Sequence, residues 1–316
     1  MSKQATVLTT ITGARAHRDA PLPPGLVLAA AVFAIGWAGP LVRFTTAPAL
    51  VVAVWRLLFS VAAIAVVLTA RRRWGDVLRL ERRDWLLALG SGTLLAAHFW
   101  SWITSLQWTS VASSVVLVNT QPVFVALMSA LFLGERANRR QWLGIGVAVT
   151  GAAVIGWGDF GLGASPLYGD LLAVAGAVFA AGYYVIGRNL RQRLDLWVYI
   201  GVVYGVAALV LAIAVAVSPS AALWGHAPVD WLVFVALAAG PMMIGHTGVN
   251  YALRYMPAYV ANLATLGEPI AATIIAWLLP AIGEVPSAQV VVGGVLVGAG
   301  ILVGFQSRGA GAGRRD

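Results

Sequence analysis

Four side chains of this 316-residue chain can carry charge or move protons although nearly everything around them is apolar: Arg56, His98, His246 and Glu268. At membrane depth a charge costs at least about 2.5 kcal/mol on insertion scales, so such a group faces a cavity or a partner. Glu268 precedes Pro269, and Gln121 precedes Pro122. A proline inside a helix removes one backbone donor and crowds the carbonyl four residues earlier, here Thr265 and Val118. Paired breaks at corresponding places point to the binding site of a carrier. Glu268 then reads as a proton acceptor or as an anion facing a cationic solute. The alternative is a buried acid paired structurally with Arg or His.

Ser91, His98, Trp102 and Ser105 recur at helical spacing, as do His246, Asn250 and Arg254. The two histidines either titrate together near neutral pH or hold two helices together by hydrogen bonds. Arg56 either snorkels to a membrane face or binds a solute carboxylate. Trp37 and Tyr183, with Trp100, Trp102 and Tyr184, either wall a cavity for an organic cation or aromatic solute or serve as packing. Asn119, Asn250 and Asn262 offer donors and acceptors to a polar solute. Two histidines and one acid on separate helices lack the local spacing of a metal site, so neither metal nor cofactor is expected.

The elements that must position these groups are membrane spans. Hydrophobic residues make up 60% of the chain and charged residues 10%, where a soluble domain carries about 25% charged. The 35 glycines and 13 tryptophans suit close helix contacts and interfacial anchoring. There is no cysteine, hence no disulfide. Taking about 20 apolar residues per span, ten spans are expected at 25–44, 49–70, 85–106, 110–133, 141–157, 168–187, 196–217, 231–253, 257–279 and 288–305. Short connections make neighbours antiparallel and leave no room for a soluble domain.

The net charge of +9 is placed asymmetrically. Lys3, Arg15 and Arg18, the cluster Arg71 to Arg83, the group Arg136 to Arg140, the group Arg188 to Arg193, Arg254 and the tail Arg308 to Arg315 fall on one side; Arg43 falls on the other. Lys and Arg near span ends mark the cytoplasmic face, so both termini are expected in the cytoplasm, with 1–24 and 306–316 as short tails. The stretch 71–83 reads as a loop facing anionic lipid rather than a nucleic-acid site.

The chain also repeats. Residues 31–37 return at 177–183, Gln121-Pro122 returns as Glu268-Pro269, and Gly134-Glu135 returns as Gly283-Glu284. Gly144 and Gly151 are matched by Gly293 and Gly300. Each copy, 25–157 and 167–305, holds five spans. An odd number inverts the second copy, and the matched loops agree: Arg136, Arg139 and Arg140 follow one Gly-Glu pair, whereas the uncharged stretch 285–289 follows the other. The fifth and tenth spans, rich in glycine and free of charge inside, either buttress the bundle or form a dimer contact.

Ten spans in two copies, each with a proline-broken fourth span and a Gly-Glu loop, resemble the drug/metabolite transporter superfamily, EamA branch. His98–Trp142 and Gly245–Glu284 carry the resemblance, which extends over 25–305. It implies an all-α membrane protein of two inverted five-helix repeats in a plasma or inner membrane. It further implies a secondary carrier, often an exporter of amino acids or other small metabolites, with a cavity between spans 1–4 and 6–9. An acid at Glu268 or a histidine would couple proton movement. The superfamily's small paired-helix cation exporters use an acid in their first span, and this chain has none there. Two other classes stay open: an intramembrane enzyme using His98, His246 and Glu268, and a lipid flippase.

Overall fold

The computed structural model describes residues 20–109, 114, 117–156, 166–218, 222–279 and 288–306, all of them helical or connecting backbone. The tails 1–19 and 307–316, with their basic residues, and the Gly283-Glu284 loop lie outside the described residues. The helices are α1 (Pro24–Gly36), α2 (Ala38–Val42), α3 (Ala49–Ala70), α4 (Trp74–Leu78), α5 (Arg82–Ser105), α6 (Gln121–Met128), α7 (Arg139–Gly156), α8 (Pro166–Arg191), α9 (Leu196–Ala216), α10 (Pro228–Leu237), α11 (Thr247–Ala252), α12 (Ala258–Thr265), α13 (Glu268–Leu278) and α14 (Ala288–Gln306). Two π-helical segments, Ser129–Leu133 and Ala238–His246, extend α6 and join α10 to α11.

Among the described residues, six helical stretches are long and apolar enough to cross a membrane: Pro24–Val42, Ala49–Ala70, Arg82–Ser105, Leu167–Arg191, Leu196–Ala216 and Pro228–Ala252. They correspond to the first, second, third, sixth, seventh and eighth expected spans. Gln121–Leu133 and Val291–Phe305 are shorter apolar helices. The ninth expected span is not continuous, because α12 stops at Thr265 and α13 starts at Glu268. The fourth is similar: α6 starts at Gln121 after the turn Asn119–Thr120. Each proline occupies the second position of a new helix, where a missing N–H costs nothing. At the breaks the backbone tightens to i→i+3 bonds, from Thr120 to Leu117 at 3.1 Å and from Gly267 to Ala264 at 2.9 Å. The hydroxyls of Thr120 and Thr265 donate to carbonyls three residues back, those of Leu117 and Asn262.

Polar contacts sort the helix ends. At one end Arg73 pairs with Asp195 at 3.2 Å, Arg193 with Asp84 at 2.7 Å, and Arg188 with Glu135 at 2.8 Å. The hydroxyl of Tyr251 donates to the carbonyl of Leu22 at the same end. At the other end Thr45 donates to Asp230 and Thr109 to Asp170.

Helix pairing is regular. α1 lies against the π segment Ala238–His246 and α11, while α8 lies against α5; α3 packs on α9, α6 on α12, and α7 on α14. The last pair is the closest. A Cβ on Gly144 would stand 2.7 Å from the carbonyl oxygen of Gly300 and from the nitrogen of Gly304. One on Gly151 would stand 2.7 Å from the carbonyl oxygen of Gly293. Only glycine allows backbones this near. These faces are therefore occupied within one chain, while Leu143, Val295 and Leu302 point outward.

Candidate functional site

The two helix breaks open onto a shared central cavity of about 50 Å³. Its wall takes Ile35 and Ala38 from α1 and α2, Arg56 from α3, and His98, Phe99 and Trp102 from α5. Val118, Asn119 and Gln121 come from the first break, Thr265 and Glu268 from the second, with Tyr184 and His246 completing the ring. A water needs roughly 10–15 Å³ on this measure, so the closed space suits a few waters. Trp102 also lines a second opening of about 270 Å³, at the end of the bundle that holds Arg43 and Thr45. Trp102 thus borders both spaces.

Arg56 is 1% exposed. It does not snorkel, because eight residues into α3 its side chain is closed over by the π segment and α5. Its guanidinium carbon lies 4.2 Å from the Phe99 ring centroid, and Nη2 lies 3.8 Å from the sulfur of Met242, a weak acceptor. Among the described residues Nε and Nη1 have no hydrogen-bond partner, and neither does Nε1 of Trp102. Glu268 lines the same cavity as Arg56. Among the described residues no ion pair joins the two.

His98 and His246 come together, with ring centroids 6.4 Å apart. Nδ1 of His98 donates to the carbonyl of Gly176 at 2.9 Å, which fixes the proton there and leaves Nε2 as the acceptor of the neutral ring. Nδ1 of His246 bonds the hydroxyl of Tyr184 at 3.2 Å. Both histidines therefore tie helices together and also border the cavity. Among the described residues no three His, Asp or Glu side chains gather as a metal set would.

Of the residues singled out from the sequence, Arg56, His98, Trp102, Asn119, Tyr184, His246 and Glu268 line the cavity. Trp37, Tyr183 and Asn250 do not. Tyr183 is fully buried behind the wall, where the Asn250 amide donates to its hydroxyl and to the carbonyl of His246. Trp37 sits at the turn between α1 and α2, and Trp100 is 40% exposed on the outer face of α5. Pro122 is buried beside Gln121 and, like Pro269, starts a half-helix. Sequence reasoning missed Gln121 as a wall residue. Its amide donates to Asn262 of the other break, so one polar contact ties the two half-helix pairs together. The pairing of Gln121 with Glu268 in the repeat was the available signal.

Comparison with known proteins agrees with this architecture. The EamA-like transporter family matches twice, at residues 24–157 and 167–305. An uncharacterized transporter of Archaeoglobus fulgidus is 27% identical over 54% of this chain, which spans 59% of that relative's length. The uncharacterized transporter YdfC of Bacillus subtilis is 26% identical over 59% of this chain and 60% of its own. A probable terminal-alkyne amino-acid exporter of Streptantibioticus cattleyicolor is 28% identical over 77% of this chain and 80% of its own. One solved structure, described only as a crystal structure of protein, superposes with a TM-score of 0.75 at 21% identity, covering 90% of this chain and 96% of that one.

Proposed function

Because this chain belongs to the EamA-like transporter family, a multi-pass membrane transporter, we propose that it is a secondary carrier moving a small organic metabolite out of the cytosol by alternating access. The observation that carries this reading is a cavity lined by charged side chains at the meeting point of two interrupted helices. Substrate and coupling-ion sites of such carriers lie where discontinuous helices meet near the membrane midplane.

In this reading residues 25–157 and 167–305 are inverted five-helix copies. Helix pairing supports it: α1 packs on the eighth-span segment as α8 packs on the third, and the pairs α3 with α9, α6 with α12 and α7 with α14 each join a helix to its own counterpart. The ends joined by the Arg188–Glu135 and Arg73–Asp195 pairs face the cytoplasm of a plasma or inner membrane, following the basic residues. Glu268, His98 and His246 are the candidates for proton coupling. Arg56, Trp102 and Asn119 contact the solute, while Asn250 and Tyr183 support His246 from behind.

Solute flux in proteoliposomes, with and without a pH gradient, tests the reading. Flux that responds to the gradient is expected; a panel of amino acids and amphipathic metabolites that shows no flux at all overturns it. Maleimide labelling of cysteines introduced within 136–140 and within 285–289 tests the inversion, which fails if both are reached from the same side.

A further inference from the structure

Three arginines meet at the basic end of the bundle without an acid of their own. Arg71 follows α3, Arg191 ends α8, and Arg254 lies two residues past α11. The fold sets them around one cavity of about 700 Å³, walled by Trp197, Tyr251 and Tyr255. Of the basic residues between 71 and 83, only Arg71 lines it. The acids at this end are already taken: Asp84 pairs with Arg193, Glu135 with Arg188, and Asp76 with Arg73. Asp195 borders the cavity but is held by Arg73 at 3.2 Å and by the Trp197 amide at 2.9 Å. Among the described residues no carboxylate pairs with Arg71, Arg191 or Arg254.

Arg191 is the deep member, 2% exposed. Its Nε donates to the carbonyl of Asn250 at 3.1 Å and its Nη1 to that of Leu194. Two neutral carbonyls orient the guanidinium without cancelling its charge, and Nη2 is left for a ligand. A buried cation beside two more of its own sign is costly until an anion joins them. Arg71 and Arg254 are exposed, and the Arg71 guanidinium carbon lies 5.5 Å from the Trp197 ring centroid. The backbone of Leu22 bonds the Tyr251 hydroxyl in both directions, at 2.7 and 3.0 Å, which brings the chain before α1 against the cavity.

We propose that this cavity binds a phosphate group, of the kind carried by the headgroup of an anionic lipid. Arginine forks match phosphate oxygens bidentately, and three forks converging on one space suit the several oxygens of a phosphate better than the two of a carboxylate. Basic pockets between helix ends hold anionic headgroups, and Trp and Tyr favour that depth of the membrane. The volume admits the phosphate together with the alcohol esterified to it. The cavity shares no wall residue with the central one, so the assignment stands apart from the carrier reading.

Thermal unfolding of the full chain in a neutral detergent, at constant ionic strength, tests this with four probes: phosphatidylglycerol, phosphatidylcholine, inorganic phosphate and glycerol 3-phosphate. Phosphatidylglycerol is expected to raise Tm at a concentration several-fold lower than phosphatidylcholine, whose choline masks the phosphate charge. If the soluble phosphates raise Tm as well, the ligand comes from the aqueous phase; if only the lipid does, it comes from the membrane. Either result bears the phosphate site out. The double variant Arg71→Gln, Arg254→Gln removes two exposed forks and spares Arg191, which holds backbone together. It should weaken the response about tenfold or more. Arg82→Gln with Arg83→Gln removes the same charge from exposed positions outside the cavity and should leave the response in place. The assignment is overturned if no probe acts, or if the two lipids act alike while neither soluble phosphate acts. It is equally overturned if the cavity variant responds as the unaltered chain does, or if the control variant loses as much.

Discussion

Arg188 holds Glu135 with two nitrogens at once: Nε and Nη2 both stand 2.8 Å from Oε1. Nη1 turns away to donate to the carbonyls of Leu253 and Arg254, at 2.6 and 3.2 Å. Oε2 of Glu135 accepts from the Ala258 amide at 3.3 Å. Three chain segments, the Glu135 loop, the end of α8 and the connection 253–258, therefore close on one ion pair at the basic end of the bundle.

Glu135→Gln is expected to loosen that end. A cysteine introduced at Val118, in a chain with none of its own, should react several-fold faster with a water-soluble maleimide applied from the basic side. An unchanged rate would mean that the pair holds the loops and nothing more. The side chains are only 16% and 22% exposed, so the stability loss should exceed that of a surface pair and reach about 1–3 kcal/mol.

Glu268→Gln is expected to abolish transport driven by a pH gradient while leaving the protein folded, because the amide keeps the shape and removes the titrating group. Proteoliposome flux and a melting curve read the two halves of this prediction. Normal flux with an unchanged pH dependence would return Glu268 to a structural role.

The glycines of α7 and α14 divide cleanly. Gly144→Ala and Gly151→Ala push a methyl into facing backbone and should each cost about 1–3 kcal/mol. Gly146→Ala and Gly298→Ala meet nothing within 4 Å and should be neutral. Thermal unfolding of the four purified variants gives the comparison; equal effects would show that the two helices do not interlock.

The neighbouring tyrosines should part company. Tyr183→Phe removes a hydroxyl bonded by Asn250 behind the cavity wall and is expected to lower stability by about 1–3 kcal/mol, with binding little changed. Tyr184→Phe removes the partner of His246 on the wall itself and is expected to alter solute binding. The sequence alone places both tyrosines on one helix and favours Tyr183 as the contact, so a larger binding change at Tyr183 would restore that expectation.

Length and hydropathy suffice to place the long spans: 49–70 is expected and Ala49–Ala70 observed, 196–217 expected and Leu196–Ala216 observed. Proline chemistry places the breaks, since a residue that cannot donate a backbone hydrogen bond must start a helix or kink one. What the sequence hides is azimuth. In a membrane helix both faces are apolar, so no stripe tells which way Arg56 points, and snorkelling and burial look alike until α3 is packed. The π segments are hidden for a related reason. Pro241 marks Ala238–His246 as irregular, but the choice of a wider winding depends on the neighbour it must fit, here α1. Gln121 is legible from the repeat that matches it with Glu268, and Tyr184 from the aromatic pair of the sixth span.

A joint without slack cannot be the one that moves. Since α7 and α14 mesh main chain to main chain, a slip of one residue between them would drive side chains into peptide planes, so in the carrier cycle proposed above this pair would serve as the pivot. On the alternating-access reading proposed above, the cavity would open to each side in turn by a swing about that axis, with the travel taken up by the interrupted helices and the wide-wound stretch before His246.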